Sequence, residues 1–216
     1  MLKKFKSAFD ILRRYGFFGL LLFYYRKALS KNYSKNHLFA LDIADFDFSK
    51  TTIPSSHTYR FAALDDYNTV LSEPKWEIRD RDFLAFQKGD LCLLQFVDDN
   101  LVGYSWLAPE LLTELTHGFH FNLPDSMIYN YKEFTISEYR GQGLQKYRHW
   151  KLCEYAKEIG KNYLLTSVNQ LNLKSLRAVK KSGYKRIGTF IYSTKKPVLK
   201  FVLKISRKYW SMDRRS

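Results

Sequence analysis

Residues 140–145 read Arg-Gly-Gln-Gly-Leu-Gln and follow an apolar, β-prone run from Met127 to Ile136. A helical pattern begins directly behind them, with Leu144, Tyr147, Leu152, Tyr155 and Ile159 as its apolar positions. Strand, glycine turn and helix start together make an anion-binding geometry. Glycine lets the backbone come close to an anion, and the first free N–H groups of the helix point at it. Arg140, Lys146 and Arg148 add positive charge. Taken alone, a glycine pair after a strand is more often only a turn. Glu133 lies in the strand that feeds this turn. A carboxylate in an apolar strand is costly unless it is exposed, paired or used chemically, and a raised pKa there would make it a proton acceptor. Tyr129 and Tyr131 share its face by strict alternation and could relay a proton. A solvent-facing or salt-bridged Glu is the competing reading.

The segment resembles the acetyl-CoA motif of the GNAT acetyltransferase superfamily: Arg or Gln, two residues, Gly, one residue, then Gly or Ala. Arg140, Gly143 and Gln145 fall on those places, with Gln145 departing from the small residue. Asn172-Leu-Lys-Ser175 followed by Lys181-Ser-Gly-Tyr184 resembles the family's second signature, and the likeness extends over residues 58–195. It implies an α/β fold of GNAT type, a mixed, mostly antiparallel central sheet flanked by helices. It also implies that acetyl-CoA, or another acyl-CoA, is held by Phe134, Thr135 and Ile136 of the strand and by the turn amides of Gly141, Gln142, Gly143, Leu144 and Gln145. Arg140 would shape the turn or add charge. Asn172 and Ser175 would lie by the cofactor arm, although Asn172 also suits a plain helix N-cap. The thiolate acid of many members is a Tyr seven residues after the Asn, and Val179 stands there in this chain. Tyr184 is then the nearby candidate proton donor, set against its family role as a core aromatic, and Glu133 is the candidate base.

The elements that must position these groups can be read along the chain. Residues 1–36 hold nine Lys/Arg and one Asp, a net +8, within an overall formal charge of +15. Leu2, Phe5, Phe9, Leu12 and Tyr15 recur at helical spacing, and Gly16 and Gly19 are expected to break the stretch into two helices. The ten uncharged residues Gly16 to Tyr25 fall short of the roughly twenty that a membrane span needs. Bulky aromatics and the missing small-residue cleavage site argue against a signal peptide. Two readings stand for residues 1–31: an interfacial anchor on anionic lipid, or a helix packed on the domain or on a second subunit in a homodimer. Residues 37–57 read as a connector, 58–205 as the transferase domain and 206–216 as a basic tail.

Within the domain, Tyr59–Ala63 is an expected strand, with helices beginning at Asp65 and Arg81. Leu91–Val97 and Leu101–Leu107 form a hairpin about Asp98-Asp-Asn100. Residues 108–126 read as a loop. Beyond the helix closed by Gly160 come a strand at Tyr163–Val168, a helix at Asn172–Lys181, a strand at Arg186–Tyr192 and an edge strand or amphipathic stretch at Val198–Ile205.

Residues 37–138 hold seven basic and seventeen acidic residues, whereas 139–194 hold twelve and two. The positive half contains the glycine turn, a field that suits a pyrophosphate. Cys92 and Cys153 have neither pairing nor metal spacing and read as reduced core thiols, and no metal site is expected. Nucleic acid would suit the charge, yet no recognition motif or basic-aromatic stripe accompanies it. The leading expectation is an acyl-CoA-dependent N-acyltransferase acting on an amine-bearing acceptor, an amino sugar or envelope-linked group, in the cytoplasm and peripheral to the inner membrane face. The alternative is a non-catalytic CoA-binding or membrane-binding module, which Val179 favours.

Overall fold

The computed structural model describes residues 2–29, 33–50, 52–69, 71–109, 111–116, 119–193 and 199–203. Its centre is an eight-stranded sheet made of β1 (Tyr33–Asp42), β2 (His57–Phe61), β3 (Leu91–Val97), β4 (Asn100–Ala108), β7 (Met127–Thr135), β8 (Tyr163–Asn169), β9 (Lys185–Ser193) and β10 (Leu199–Leu203). A separate two-stranded hairpin, β5 (Leu111–Thr116) and β6 (Phe119–Asn122), occupies the stretch read as a loop. The large sheet runs β10-β9-β1-β8-β7-β4-β3-β2, and β7 with β8 is its single parallel pair.

Helices cover both faces. On one, α4 (Leu144–Glu158) and α5 (Leu173–Lys181) bury Leu152, Cys153, Ala156 and Val179 against Phe39, Leu93, Leu107, Ile128 and Leu164. On the other, α2 (Leu64–Asn68), α3 (Asp80–Gln87) and their connection place Tyr67, Leu71 and Trp76 on Cys92, Leu94, Tyr104 and Trp106. Side chains alternate between faces along β3 and β4, as strand geometry requires. Cys92 and Cys153 are free and buried.

Two features depart from the sequence reading. The connector expected over 37–57 contains most of β1, an interior strand bonded antiparallel to both β8 and β9. Its first half disguises it, because Ser34, Asn36 and His37 are polar. They are accommodated by partners across the sheet: Asn169 Nδ2 donates to Ser34 Oγ at 2.8 Å, and His37 Nδ1 meets Thr189 Oγ1 at 3.0 Å. Leu38-Phe39-Ala40-Leu41 then fills both faces. The N-terminal helix α1 (Leu2–Leu29) is broken at Gly16 alone, at φ 68° and ψ −177°, and continues through Gly19. Ile11 is buried, whereas Leu12, Phe17, Phe18, Leu21, Leu22, Tyr24 and Tyr25 are exposed. No helix among the described residues is long and apolar enough to cross a membrane. The basic tail at 206–216 lies outside the described residues.

Candidate active site

The neighbouring strands β7 and β8 part company early. They pair only from Met127↔Tyr163 to Tyr129↔Leu165, although β7 continues to Thr135. The separation coincides with a β-bulge on the other edge of β7. Trp106 pairs with Lys132 and Leu107 with Asn130, leaving Tyr131 as the extra residue. A bulge bends its strand and increases its twist, so beyond Tyr129 a gap opens between the two strands. The bulge also resets alternation. Tyr129 and Tyr131 join the apolar clusters on the side away from α4, whereas Glu133 faces α4. The shared face expected for these three residues is therefore corrected.

At the open end of the gap, β7 passes into the glycine turn. Arg140 folds back over it: its Nε donates to the Thr135 carbonyl at 2.7 Å, and its guanidinium lies 5.5 Å from the centre of the Phe134 ring. Gly141 and Gly143 have φ of +88° and +77°, the left-handed region that side-chain-bearing residues avoid. Gly143 is the N-cap of α4. Among the described residues, no acceptor is bonded to the amides of Gly141, Gln142, Gly143, Leu144 or Gln145. No acidic side chain occupies the first turn of α4. Bare amides at a helix start, with the positive end of its dipole behind them, suit an anion. Asn172 does serve as the N-cap of α5, its Oδ1 accepting from the Ser175 amide at 3.1 Å.

Beneath this turn lies a buried polar network between α4 and the sheet. Arg148 is 1% exposed. Its Nε donates to Ser105 Oγ at 3.2 Å, and its two terminal nitrogens to Gln95 Oε1 at 2.6 Å and Thr135 Oγ1 at 2.9 Å. Gly103 makes room for it: a Cβ there would sit 2.6 Å from the guanidinium and 2.5 Å from the Phe134 carbonyl oxygen. Gln95 is held in turn: its amide donates to Tyr59 Oη at 2.9 Å and to the Leu144 carbonyl at 3.4 Å.

Glu133 is the acceptor at the centre of this network. Its Oε1 accepts from Asn130 Nδ2 and from His149 Nε2, both at 2.6 Å, and its Oε2 accepts from Gln145 Nε2. Burial pushes its pKa up, but His149, Arg148 and Asn130 outweigh it and bring the carboxyl down to about 2. The raised value expected from sequence is thereby reversed. A carboxyl with this many donors keeps its charge and is a weak base at neutral pH. Gln145, the departure from the motif, is what ties the first turn of α4 to β7.

Toward the closed end of the gap, Asn130 Oδ1, His149 Nδ1 and Tyr184 Oη are buried and make no well-formed hydrogen bond among the described residues, with Asn130 lying beside the Tyr184 hydroxyl. The Tyr184 ring packs edge-on against His149 at 5.4 Å, so they share one locality. Burial raises the Tyr184 hydroxyl well above its usual pKa. Val179 is a core residue of the same cluster as Tyr184. No group of three or more His, Cys, Asp or Glu residues among the described ones could hold a metal ion.

The first turn of α4 and Glu133 thus meet through Gln145, and Tyr184 packs beside them on the His149 ring. Arg148, named in the sequence for charge alone, and His149, Asn130, Gln95 and Ser105 are the residues that sequence reasoning missed. One signal existed: Arg148 stands four residues from both Leu144 and Leu152, on the apolar stripe of the helix.

No family model and no curated protein matches the sequence. Solved structures do. A tandem GNAT protein of the clavulanic acid biosynthesis pathway superposes with a TM-score of 0.53 at 14% identity, covering 77% of this chain and 56% of that one. A Drosophila protein gives 0.52 at 15%, covering 80% and 56%. A conserved protein of unknown function from Staphylococcus epidermidis gives 0.50 at 10%, covering 74% and 60%. The chain therefore spans a little over half the length of these structures. The mostly antiparallel sheet, opened at its one parallel pair in front of a glycine turn, is the GNAT acetyltransferase fold.

Proposed function

We propose that this chain is an acyl-CoA-dependent N-acyltransferase that moves an acetyl group directly from acetyl-CoA to an amine. The observation that carries the reading is the set of unpartnered amides at Gly141–Gln145, at the mouth of the gap between β7 and β8. The pyrophosphate sits on those amides, and the pantetheine arm runs along Phe134, Thr135 and Ile136 into the gap. Asn172 spends its side-chain oxygen on capping α5 and offers its remaining amide group, beside Ser175, to the arm. The amine nitrogen attacks the thioester carbonyl, a C–N bond forms, and the C–S bond breaks to leave a thiolate, which takes up the proton that the nitrogen sheds. Tyr184, whose buried hydroxyl holds its proton tightly, stabilises the leaving sulfur as a hydrogen-bond donor rather than by giving the proton up. Glu133, at about 2, acts by anchoring α4 and its turn.

Calorimetric titration of the full chain with acetyl-CoA tests this. Binding is expected, and Gly143→Trp should abolish it by forcing a side chain onto a left-handed residue at the anion site. An intact protein that ignores every coenzyme A derivative would overturn the reading. The second reading, a CoA-binding module without activity, is favoured by Val179, a core residue where many relatives carry a phenol. Acetyl transfer above background, lost in Gly143→Trp, separates the two.

The location is proposed from α1. Its exposed aromatic and leucine side chains accompany exposed Arg13 and Lys27 in a segment of net +8, a combination suited to the headgroup region of anionic bilayers. It points to a lipid-linked or envelope-associated acceptor on the cytoplasmic side. The full chain should float with phosphatidylglycerol vesicles, and a double substitution Phe17→Ser, Phe18→Ser should release it. Equal flotation of the two proteins removes the anchor.

A further inference from the structure

The acyltransferase reading leaves the acceptor's proton unassigned, because the carboxylate facing α4 is held ionised by its donors. A second buried carboxyl lies on the opposite face of the sheet. Asp90, between Gly89 and the start of β3, is 6% exposed. Tyr131 Oη donates to its Oδ2 at 2.7 Å, and no Lys, Arg or His forms an ion pair with it among the described residues.

The groups around the pair are accounted for. Lys132 is committed to Asp82 of α3 at 2.6 Å and to the Glu77 carbonyl at 2.9 Å. Asp82 also accepts from the Arg79 amide at 2.8 Å. Lys88 acts on Asp90 through its charge, Asp82 acts on Tyr131 through its own, and Trp106 packs 6.1 Å from the Tyr131 ring. Tyr131 is stacked on Tyr129 at 6.0 Å and 17°, and Tyr129 Oη meets Ser167 Oγ of β8 at 2.6 Å.

The position matters more than the partners. Tyr131 is the bulged residue, two beyond the last β7–β8 pair, so it stands at the closed end of the gap. The thioester carbon must arrive at that end if the pyrophosphate is held at the other. Tyr129 and Ser167 mark the same level by bridging the two strands just where they separate. We infer that Tyr131 and Asp90 accept the acceptor's proton, Tyr131 touching the ammonium and Asp90 standing behind it, on the face opposite α4. The inference rests on the acyltransferase reading.

The step balances without a further reagent. The ammonium gives a proton to Tyr131 Oη while the Tyr131 proton passes to Asp90 Oδ2. The freed nitrogen lone pair forms the C–N bond, the C–S electrons leave on sulfur, and the sulfur takes the second proton that the adduct nitrogen sheds on becoming an amide, so that a thiol departs and Asp90 returns the first proton to solvent. Burial brings Asp90 up to about 6, where a carboxylate is ionised at neutral pH yet basic enough to act.

The test uses the full chain, acetyl-CoA, and a panel of amino sugars, polyamines and short peptides with free N-termini. Acetyl-CoA affinity is measured first by calorimetry, and failure there removes the transferase reading itself. In the wild type, kcat/KM against pH for the best amine should fall on an acid limb near 6. Asp90→Asn should keep the acetyl-CoA Kd, lose about 10²-fold in kcat and flatten that limb. Tyr131→Phe should lose less, about tenfold, and Asp90→Glu should recover part of the rate. If Asp90→Asn retains the acid limb, or loses less than about threefold in kcat, the inference is wrong while the transferase reading survives. A wild type that binds acetyl-CoA but acetylates no amine overturns both.

Discussion

Two carboxyl groups lie on opposite faces of the same strand region, and their surroundings drive them in opposite directions. Glu133 faces α4 and is surrounded by donors: Asn130, His149 and Gln145 bond it directly, and the Arg148 guanidinium adds its charge. Asp90 faces the other way and has the Tyr131 hydroxyl. Burial raises both, but only at Glu133 do the partners outweigh it, so one group falls to about 2 and the other climbs to about 6. Depth alone therefore decides nothing about the charge state. The count and sign of donors within hydrogen-bond reach does. A fully served carboxylate is structural glue, whereas an underserved one retains the basicity that proton transfer requires.

The largest expected effect comes from deleting the served group. Glu133→Ala leaves the Arg148 guanidinium buried with no counter-charge and His149 Nε2 without its partner, and breaking such a network typically costs about 3–5 kcal/mol. Urea denaturation at pH 7 measures it, and a loss below about 1 kcal/mol would contradict the anchoring role. The same contribution has a defined pH window. Because the folded-state pKa is depressed from 4.5 to about 2, the stabilisation is complete above pH 4.5 and disappears as pH falls toward 2. Side-chain exposure of 18% moderates the effect, to roughly 2–3 kcal/mol over that interval.

Asp90 should respond with the opposite sign and a smaller size. Its folded-state pKa lies above the ordinary 3.8, so folding favours the protonated form. Wild-type stability from this group is greatest below pH 3.8 and declines as pH rises to about 6. Asp90→Asn should match the wild type at pH 3.5 and exceed it at pH 7 by about 1–2 kcal/mol, after discounting for solvent screening. Paired thermal melts at the two pH values check this. A variant that is both more stable and slower is the signature of a group kept for chemistry, and a destabilised Asp90→Asn would place Asp90 with Glu133 as a packing element.

How much of this contrast could be read from the chain depends on period. The strands of the hairpin at 91–108, the strand leading into the glycine turn and the helices α4 and α5 announced themselves through alternation, turn residues and 3.6-residue repeats. The first strand did not, because Ser34, Asn36 and His37 look solvent-bound until Asn169 and Thr189 are brought opposite them by a contact more than a hundred residues away. Glu133 was legible as a costly residue, but its donors were not, since Asn130 reaches it across a bulge that a strict period of two cannot represent. That same bulge puts Tyr129 and Tyr131 on the face opposite Glu133, where Tyr131 meets Asp90. Asp90 itself sat behind Gly89 in what reads as an ordinary turn, and nothing local marked it as buried.

The smallest expected effect concerns Gln145, and it sharpens the contrast from the Glu133 side. Its side chain is one donor among several, so Gln145→Ala leaves Glu133 with Asn130, His149 and the charge of Arg148. The lost charge-assisted bond costs about 1.5–3 kcal/mol in isolation. Alanine's better helix propensity recovers a few tenths of a kcal/mol, and water replaces the donor because Gln145 is only half-buried. A net loss of about 1 kcal/mol or less should result, measured by urea denaturation. Acetyl-CoA should still bind, about threefold to tenfold more weakly, because the first turn of α4 keeps its amides but loses its tie to β7. A loss of stability approaching that of Glu133→Ala would mean that the donors act as one unit rather than as a surplus, and the low pKa of Glu133 would then rest on Gln145 rather than on His149 and Arg148.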